Sequence, residues 1–324
     1  MKKIKNNKII NKNIFITGGA GFIANKLISR MIDQNNITVF DNFIRDTLSK
    51  SANYNHKNLK IIKGDVLDFK LLTKAMANNN IVIHAAAIAG IDTVIKNPVK
   101  TMQVNMIGTS NVLEAAKVNR IDDRLIEFST SEIFGNYAYK SDENSEAVSG
   151  SAGEARWSYA VSKLAGEHLT MSYFKQYGLP TVSVRPFNIY GVGQTGDSAM
   201  LKFITNALQN EDINIYGDGN QIRAWCYIDD FVDCIIKIIE NKNSVGQSFN
   251  IGNSKAILTI YGLAQTICRV LNSKSKINFL PPLSADVELR IPSTEKAKKL
   301  LNFKAKIDIE EGIHLTANWV KGNI

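Results

Sequence analysis

Short apolar runs alternate with longer stretches in which apolar positions recur every three or four residues, from the start of the chain to Arg185. The runs Ile14 to Thr17, Ile37 to Asp41, Leu59 to Lys63, Ile81 to His84, Leu125 to Ser129 and Thr181 to Arg185 predict strands. Val99 to Asn119 and Ser158 to Tyr177 predict helices with apolar stripes. Strand, helix, strand in repetition requires right-handed crossovers and a parallel sheet covered on both faces. The predicted fold class is therefore α/β, a Rossmann doubly wound parallel sheet with a smaller C-terminal α/β domain.

After Arg185 the rhythm loosens, with Pro186, Gly191, Gly193 and Gly196 crowded into one loop. Helices are expected near 198–209, 229–241, 259–271 and 308–320, with short strands near 213–216 and 246–251. The expected organisation is a basic leader over 1–12, a dinucleotide-binding Rossmann domain over 13–187, and 188–324 mainly as a substrate-binding domain that shares a strand or two with the large sheet.

The 324 residues are 44% hydrophobic and 21% charged, an ordinary globular composition. No apolar run reaches the roughly 20 residues of a membrane-spanning helix, so no membrane partner is expected. The net charge of +9 invites a nucleic-acid reading, but Lys2, Lys3, Lys5, Lys8 and Lys12 supply five of those charges from the leader alone. The rest has no cluster of Lys and Arg interleaved with aromatics, so no nucleic-acid partner is expected. Cys226, Cys234 and Cys268 have no metal-ligand spacing and are too few for a disulfide framework. No metal and a cytoplasmic location are the expectations.

The first strand runs into Thr17-Gly18-Gly19-Ala20-Gly21-Phe22-Ile23-Ala24. Glycines there allow a tight turn and let backbone N–H groups approach a pyrophosphate held at a helix N-terminus. Asp41 ends the second strand 20 residues beyond Gly21, where a carboxylate accepts from adenosine ribose hydroxyls and repels a 2′-phosphate. NAD is the expected cofactor, bound by Gly18, Ala20, Gly21, Phe22, Ile23, Asp41 and Asn42. Asp65 and Val66 follow the third strand, where Asp65 would meet the adenine amino group. Ala85, Ala86 and Ala87 follow the fourth, where small side chains let the cofactor lie flat. His84 reads as a satisfied core histidine.

Tyr159 and Lys163 stand four residues apart on a predicted helix and so share a face. A tyrosine with a pKa of about 10 is a poor base at neutral pH, and lowering it by roughly 3 units requires about 4 kcal/mol. A neighbouring ammonium and an oxidised nicotinamide can supply this in a dry site. Upstream, the fifth strand ends in the polar cluster Ser129-Thr130-Ser131-Glu132.

Together with Asn105, Arg185-Pro186-Phe187-Asn188-Ile189-Tyr190-Gly191 and Tyr216-Gly217-Asp218-Gly219, these motifs resemble the extended short-chain dehydrogenase/reductases of the NAD-dependent epimerase/dehydratase family that modify nucleotide sugars. The resemblance runs from about residue 12 to 320. It implies that Thr130 hydrogen-bonds the sugar 4-hydroxyl, Tyr159 removes its proton, and Lys163 holds the nicotinamide ribose and tunes the tyrosine. Asn105 joins the cofactor set. Asn188, Arg223 and Arg290 resemble the residues around the substrate diphosphate, with surface salt bridges as the plain alternative for the arginines. A nucleotide-diphosphate hexose, linked to GDP, UDP or dTDP, is the implied substrate. A homodimer through helices 99–119 and 158–177 is the implied assembly.

The resemblance further implies hydride transfer from C4 of the hexose to NAD, and the fate of the resulting ketone turns on Glu132. In the nucleotide-sugar 4,6-dehydratases a carboxylate there takes the C5 proton, water leaves from C6, and hydride returns to C6. The residue before it is aspartate in the dTDP-glucose dehydratases and Ser131 here, so either Glu132 serves as base and then acid or Ser131 relays through water. Thr-Ser-Glu resembles the GDP-mannose dehydratases, and Ala155-Arg156-Trp157-Ser158-Tyr159 resembles dehydratases acting on nucleotide-linked N-acetylhexosamines. A 4,6-dehydratase is the expected activity. UDP-glucuronate-type decarboxylases share Thr-Ser-Glu and want a cation such as Arg223 at the substrate carboxylate, while 4-epimerases need no acid at 132. A non-catalytic NAD-binding protein is the alternative of a different kind, and intact Thr130, Tyr159 and Lys163 count against it.

Overall fold

The computed structural model describes residues 9–196, 198–282 and 286–323, and most of the basic leader lies outside them. Seven parallel strands form the large sheet, in the order Gln247–Ile251, Thr181–Pro186, Arg124–Phe128, Ile81–His84, Asn13–Thr17, Asn36–Asp41 and Leu59–Lys63. The order reverses beside the first strand, which opens a crevice at the carboxyl ends between Asn13–Thr17 and Ile81–His84. Thr17, His84 and Glu127 lie in register across three neighbouring strands, level with that crevice.

A second sheet runs Ile257–Thr259, Ile222–Ala224, Leu289–Pro292 and Tyr137–Ser141. The chain crosses between the sheets in both directions. Tyr137–Ser141 leaves the first half for the second sheet, and Gln247–Ile251 returns from the second half to the edge of the large one. The Thr130–Glu132 turn lies on the first crossing. Arg223 and Arg290 are partners across adjacent strands of the second sheet.

Apolar layers cover both faces of the large sheet. Leu27, Ile28, Val184, Phe231 and Ile235 belong to one layer, and Phe15, Phe40, Val82, Val112 and Leu125 to the other. The expected helices of the second half form as Ala199–Gln209, Ile228–Glu240, Ile260–Leu271 and Ile309–Lys321. The predicted helix over 99–119 forms as Pro98–Met102, a π-helical turn Gln103–Ile107, and Gly108–Val118. Among the described residues no helix is long and apolar enough to cross a membrane.

The expected apolar stripe of Ser158–Tyr177 is not what that helix buries. Its buried residues are Ala160, Ser162, Lys163, Gly166, Glu167 and Thr170. Three of them, Lys163, Glu167 and Thr170, meet polar partners on the sheet. Lys163 Nζ lies 2.9 Å from Glu127 Oε1, Arg185 Nη2 donates to Glu167 Oε1 at 2.7 Å, Ser248 Oγ donates to the same oxygen at 2.8 Å, and Thr181 Oγ1 donates to the Thr170 carbonyl at 2.9 Å. Charged pairs withdrawn from water are tolerated because each charge is matched and hydrogen-bonded.

Removing one partner strands the other. Arg185→Met should destabilise the fold by about 3 kcal/mol, and the double variant Arg185→Met/Glu167→Met should recover most of that loss. Urea unfolding of the three proteins checks both parts, and equal losses in single and double variants would count against the pairing as the cause.

Candidate active site

The nucleotide end is built from bare backbone. Gly18 has φ +69°, and a Cβ there would lie 2.5 Å from the Ala86 nitrogen. The glycine turn is therefore pressed against the Ala85–Ala87 segment. Gly21 caps helix Phe22–Met31 with no side-chain hydrogen bond, so the N–H groups of Phe22 and Ile23 open the first turn unsatisfied by a cap. Asp41 Oδ2 accepts from Ala20 N at 2.9 Å, and its Oδ1 accepts from Phe43 N at 2.7 Å. Burial raises this carboxyl above its ordinary value, and those two backbone donors pull it back. Asp41 thus ties the second strand to the glycine turn while retaining acceptor capacity.

Asn42 Oδ1 accepts from Ile44 N at 3.2 Å, and Asp65 Oδ1 accepts from Leu67 N at 3.0 Å. Val66 packs on Gly108, where a Cβ would come within 2.6 Å of it. Asn105 is a strut. Its amide donates to the Ile88 carbonyl and to Ser162 Oγ, both at 3.1 Å, and accepts from Ile88 N at 2.8 Å. The π-helical turn places it there, behind the alanine segment. His84 is buried with Nδ1 2.7 Å from Thr17 Oγ1 and Nε2 2.9 Å from Thr109 Oγ1. Thr109 already donates to the Asn105 carbonyl, so Nε2 carries the proton and Nδ1 accepts. Burial, with Lys163 nearby, pushes this imidazole down to about 3, and it stays neutral.

At the catalytic end, Thr130 caps the 3-10 turn Ser131–Phe134 and its Oγ1 accepts from Glu132 N at 3.2 Å. The same hydroxyl is close enough to Tyr159 to lower the phenol's proton affinity. The turn leads directly to a charge cluster in which Arg156 Nη1 donates to Glu132 Oε2 at 2.7 Å and Arg290 Nη1 stands 3.6 Å from Glu132 Oε1. Arg290 also donates to the Gly135 carbonyl at 3.0 Å, and Arg223 reaches Asp286 at 3.3 Å. Burial alone would raise the Glu132 carboxyl, but the guanidiniums of Arg156, Arg290 and Arg223 outweigh it and hold it below the usual range. Burial lowers Arg290 to about 10 even beside that carboxylate. Among the described residues, the Nε atoms of Arg156 and Arg290 are buried without a partner.

Asn188 has a left-handed backbone, φ 42°, and its amide donates to the Ala224 carbonyl at 2.9 Å. It thereby pins the end of the strand that carries Arg223. The tyrosine departs from expectation. Burial pushes its pKa well above the ordinary value, Glu132 and Glu127 push it further up, and Thr130 and Arg290 pull it back. The ammonium expected to acidify it is paired with Glu127, whose other oxygen accepts from Ser183 Oγ at 2.8 Å. Arg156, Glu127 and Ser183 were not among the expected site residues. Arg156 stands three residues before Tyr159, and Glu127 is the acid between the apolar residues Leu125, Ile126 and Phe128 of a central strand.

Residues 14–252 match the model of the NAD dependent epimerase/dehydratase family. The chain belongs to that family. Over 322 residues it is 33% identical to the UDP-N-acetyl-alpha-D-glucosaminuronate decarboxylase of Bacillus cytotoxicus, covering 96% of this chain and 98% of the relative. The UDP-glucuronic acid 4-epimerase of Bacillus cereus, solved with UDP-glucuronic acid and NAD, superposes with a TM-score of 0.88 at 28% identity, over 96% of this chain and all of that one. The dTDP-glucose 4,6-dehydratase of Bacillus anthracis, solved with NAD, gives 0.85 at 25% identity over 96% and 97%. This member of the epimerase/dehydratase family is an NAD-dependent enzyme that modifies nucleotide sugars. Its bare glycine turn, uncapped helix start and Asp41 fit the diphosphate and ribose of NAD.

Because Glu132 is held below its ordinary pKa, its ion pairs stabilise the fold fully above the unfolded value of 4.5 and that contribution is lost as pH falls through the lower folded value. The stability gap between the native protein and Glu132→Gln should therefore be constant near neutrality and shrink below about pH 4.5. Urea melts at stepped pH measure it, and a gap that widened on acidification would contradict the clamp.

Proposed function

We propose that this enzyme oxidises C4 of a nucleoside-diphosphate-linked hexuronate and releases its C6 carboxylate as carbon dioxide. The clamp on Glu132 carries the reading. A 4,6-dehydratase asks this residue to take the C5 proton and to serve the leaving hydroxyl, and a carboxylate held ionised between guanidiniums is a weak base and a poor acid. Decarboxylation asks for neither. The β-keto acid breaks its own C5–C6 bond, the electron pair enters the C4 enolate, and a proton added at C5 restores the ketone. The site must supply cationic groups for the substrate carboxylate and exclude water. Arg156, Arg223 and Arg290 are buried in one cluster facing Glu132 and Asp286, and two Nε–H groups with no partner among the described residues leave donor capacity there.

NAD would be held by the glycine turn and Asp41 and would supply the hydride acceptor, and then donor, for C4. Thr130 orients the 4-hydroxyl, Tyr159 takes and gives back its proton, and Lys163 holds the nicotinamide ribose. The decarboxylase named for its action on UDP-N-acetylglucosaminuronate supports a UDP-linked hexuronate with an acylated C2 amine. A homodimer belongs to the same proposal, since the two helical segments over 98–118 and 158–177 expose Val99, Ile107, Val118 and Tyr177.

Incubation with NAD and UDP-glucuronate, UDP-N-acetylglucosaminuronate, UDP-glucose and UDP-N-acetylglucosamine, read by mass spectrometry, separates the outcomes. A UDP-linked pentose, lighter than its hexuronate substrate by carbon dioxide, is expected. A neutral sugar lighter by water establishes the dehydratase instead, and unchanged mass with inverted C4 establishes an epimerase. Arg156→Gln should lower kcat/KM for the hexuronate roughly 10- to 100-fold. An unchanged value would remove Arg156 from the substrate site.

A further inference from the structure

We infer that Glu127 is a positioning residue that neutralises Lys163 below Tyr159, so that the tyrosine gives up its proton only when a further cation, oxidised nicotinamide, enters the site. This rests on the family chemistry of Tyr159 and Lys163 and is independent of the fate of the C4 ketone.

Glu127 lies within a central strand, fully buried, with Lys163 Nζ 2.9 Å from one oxygen and Ser183 Oγ 2.8 Å from the other. A carboxylate is retained at such a place only when a counter-charge and hydrogen bonds satisfy it, and both are present. No backbone group of the strand needs it, and an apolar side chain would fill the same position in the sheet. Its effect is electrostatic. Lys163 and Tyr159 share one face of their helix, and an unopposed ammonium there would favour the phenolate. With Glu127 in contact, the pair presents a dipole in place of a charge.

Facing Glu127 are Lys163, Glu167 with its partner Arg185, and the neutral His84 on the next strand. Facing Tyr159 are Glu132, Glu127 and Arg290, with the Thr130 hydroxyl. Glu132 is itself matched by Arg156. Burial therefore governs the phenol of the ligand-free protein and keeps it protonated. A cation added at the crevice is not compensated by this set. Its arrival favours release of the phenolic proton to solvent, and the phenolate can then accept the proton of the sugar 4-hydroxyl. The uncharged reduced nicotinamide removes that bias, which suits Tyr159 to hand a proton back in the second half of the cycle.

Calorimetric titration of the full-length protein with NAD+ and with NADH, in two buffers of different protonation enthalpy across a pH series, tests this without any sugar. The native protein should release a proton on binding NAD+ and not NADH, and Tyr159→Phe should abolish the release. In Glu127→Gln, Lys163 acts unopposed, and the release midpoint should fall by about one pH unit. The acid limb of C4 oxidation should fall with it. The double variant Glu127→Gln/Lys163→Gln removes both charges and should return the midpoint to within a few tenths of a unit of the native protein. It also serves if the single variant does not fold. An unmoved midpoint in Glu127→Gln, or a double variant displaced upward by a unit, would overturn the inference.

Discussion

The buried ionic seam between helix Ser158–Tyr177 and the large sheet is the constraint on which the active site depends. A helix docked through apolar side chains alone could slide or roll with modest loss, because dispersion contacts are numerous and individually weak. Lys163 on Glu127 and Glu167 on Arg185 fix the helix at two points along its length. A shift of an ångström at either would leave a desolvated charge unmatched. Tyr159 is one turn before Lys163, so the seam sets where the phenol stands relative to Thr130.

Two carboxylates near the tyrosine are handled in opposite ways. Glu127 is locked into the sheet with one ammonium and one hydroxyl, forming a locally neutral unit. Glu132 is on a turn and is outnumbered by guanidiniums, with Arg156 approaching from the loop before the helix and Arg290 from the second sheet. The first arrangement quiets the charge of the lysine. The second leaves positive charge available to an anionic substrate. The chain's double crossing makes the second arrangement possible, since Arg223 and Arg290 reach the Thr130–Glu132 turn from strands far away in sequence.

The cofactor half was largely legible because it is local. Gly18 to Ile23 form a turn and a helix start from adjacent residues, and Asp41 reaches that turn from the end of the neighbouring strand in a recurrent strand-turn-helix-strand unit. The strands and helices that the periodicity predicts lie within a residue or two of their bounds, whereas the second sheet, Ile257–Thr259, Ile222–Ala224, Leu289–Pro292 and Tyr137–Ser141, is built from strands too short to carry a periodic signal. Ser158–Tyr177 misled in its packing. The helix forms as expected, but the side chains it buries most deeply against the sheet include Lys163, Glu167 and Thr170, and a hydrophobic pattern cannot register charges buried against partners on other strands.

Order along the chain, by itself, determined the α/β class, the glycine turn, the Tyr159 and Lys163 spacing and the Thr130–Glu132 cluster, since each depends on neighbours within a few residues or on a repeating period. Only the tertiary structure decided what those groups face. Lys163 meets Glu127, which is 36 residues away, and Glu132 meets Arg290, far along the chain on a strand of the other sheet. Proton affinities and the sign of the local field depend on distance in space and on exclusion of water, and neither quantity is carried by sequence separation.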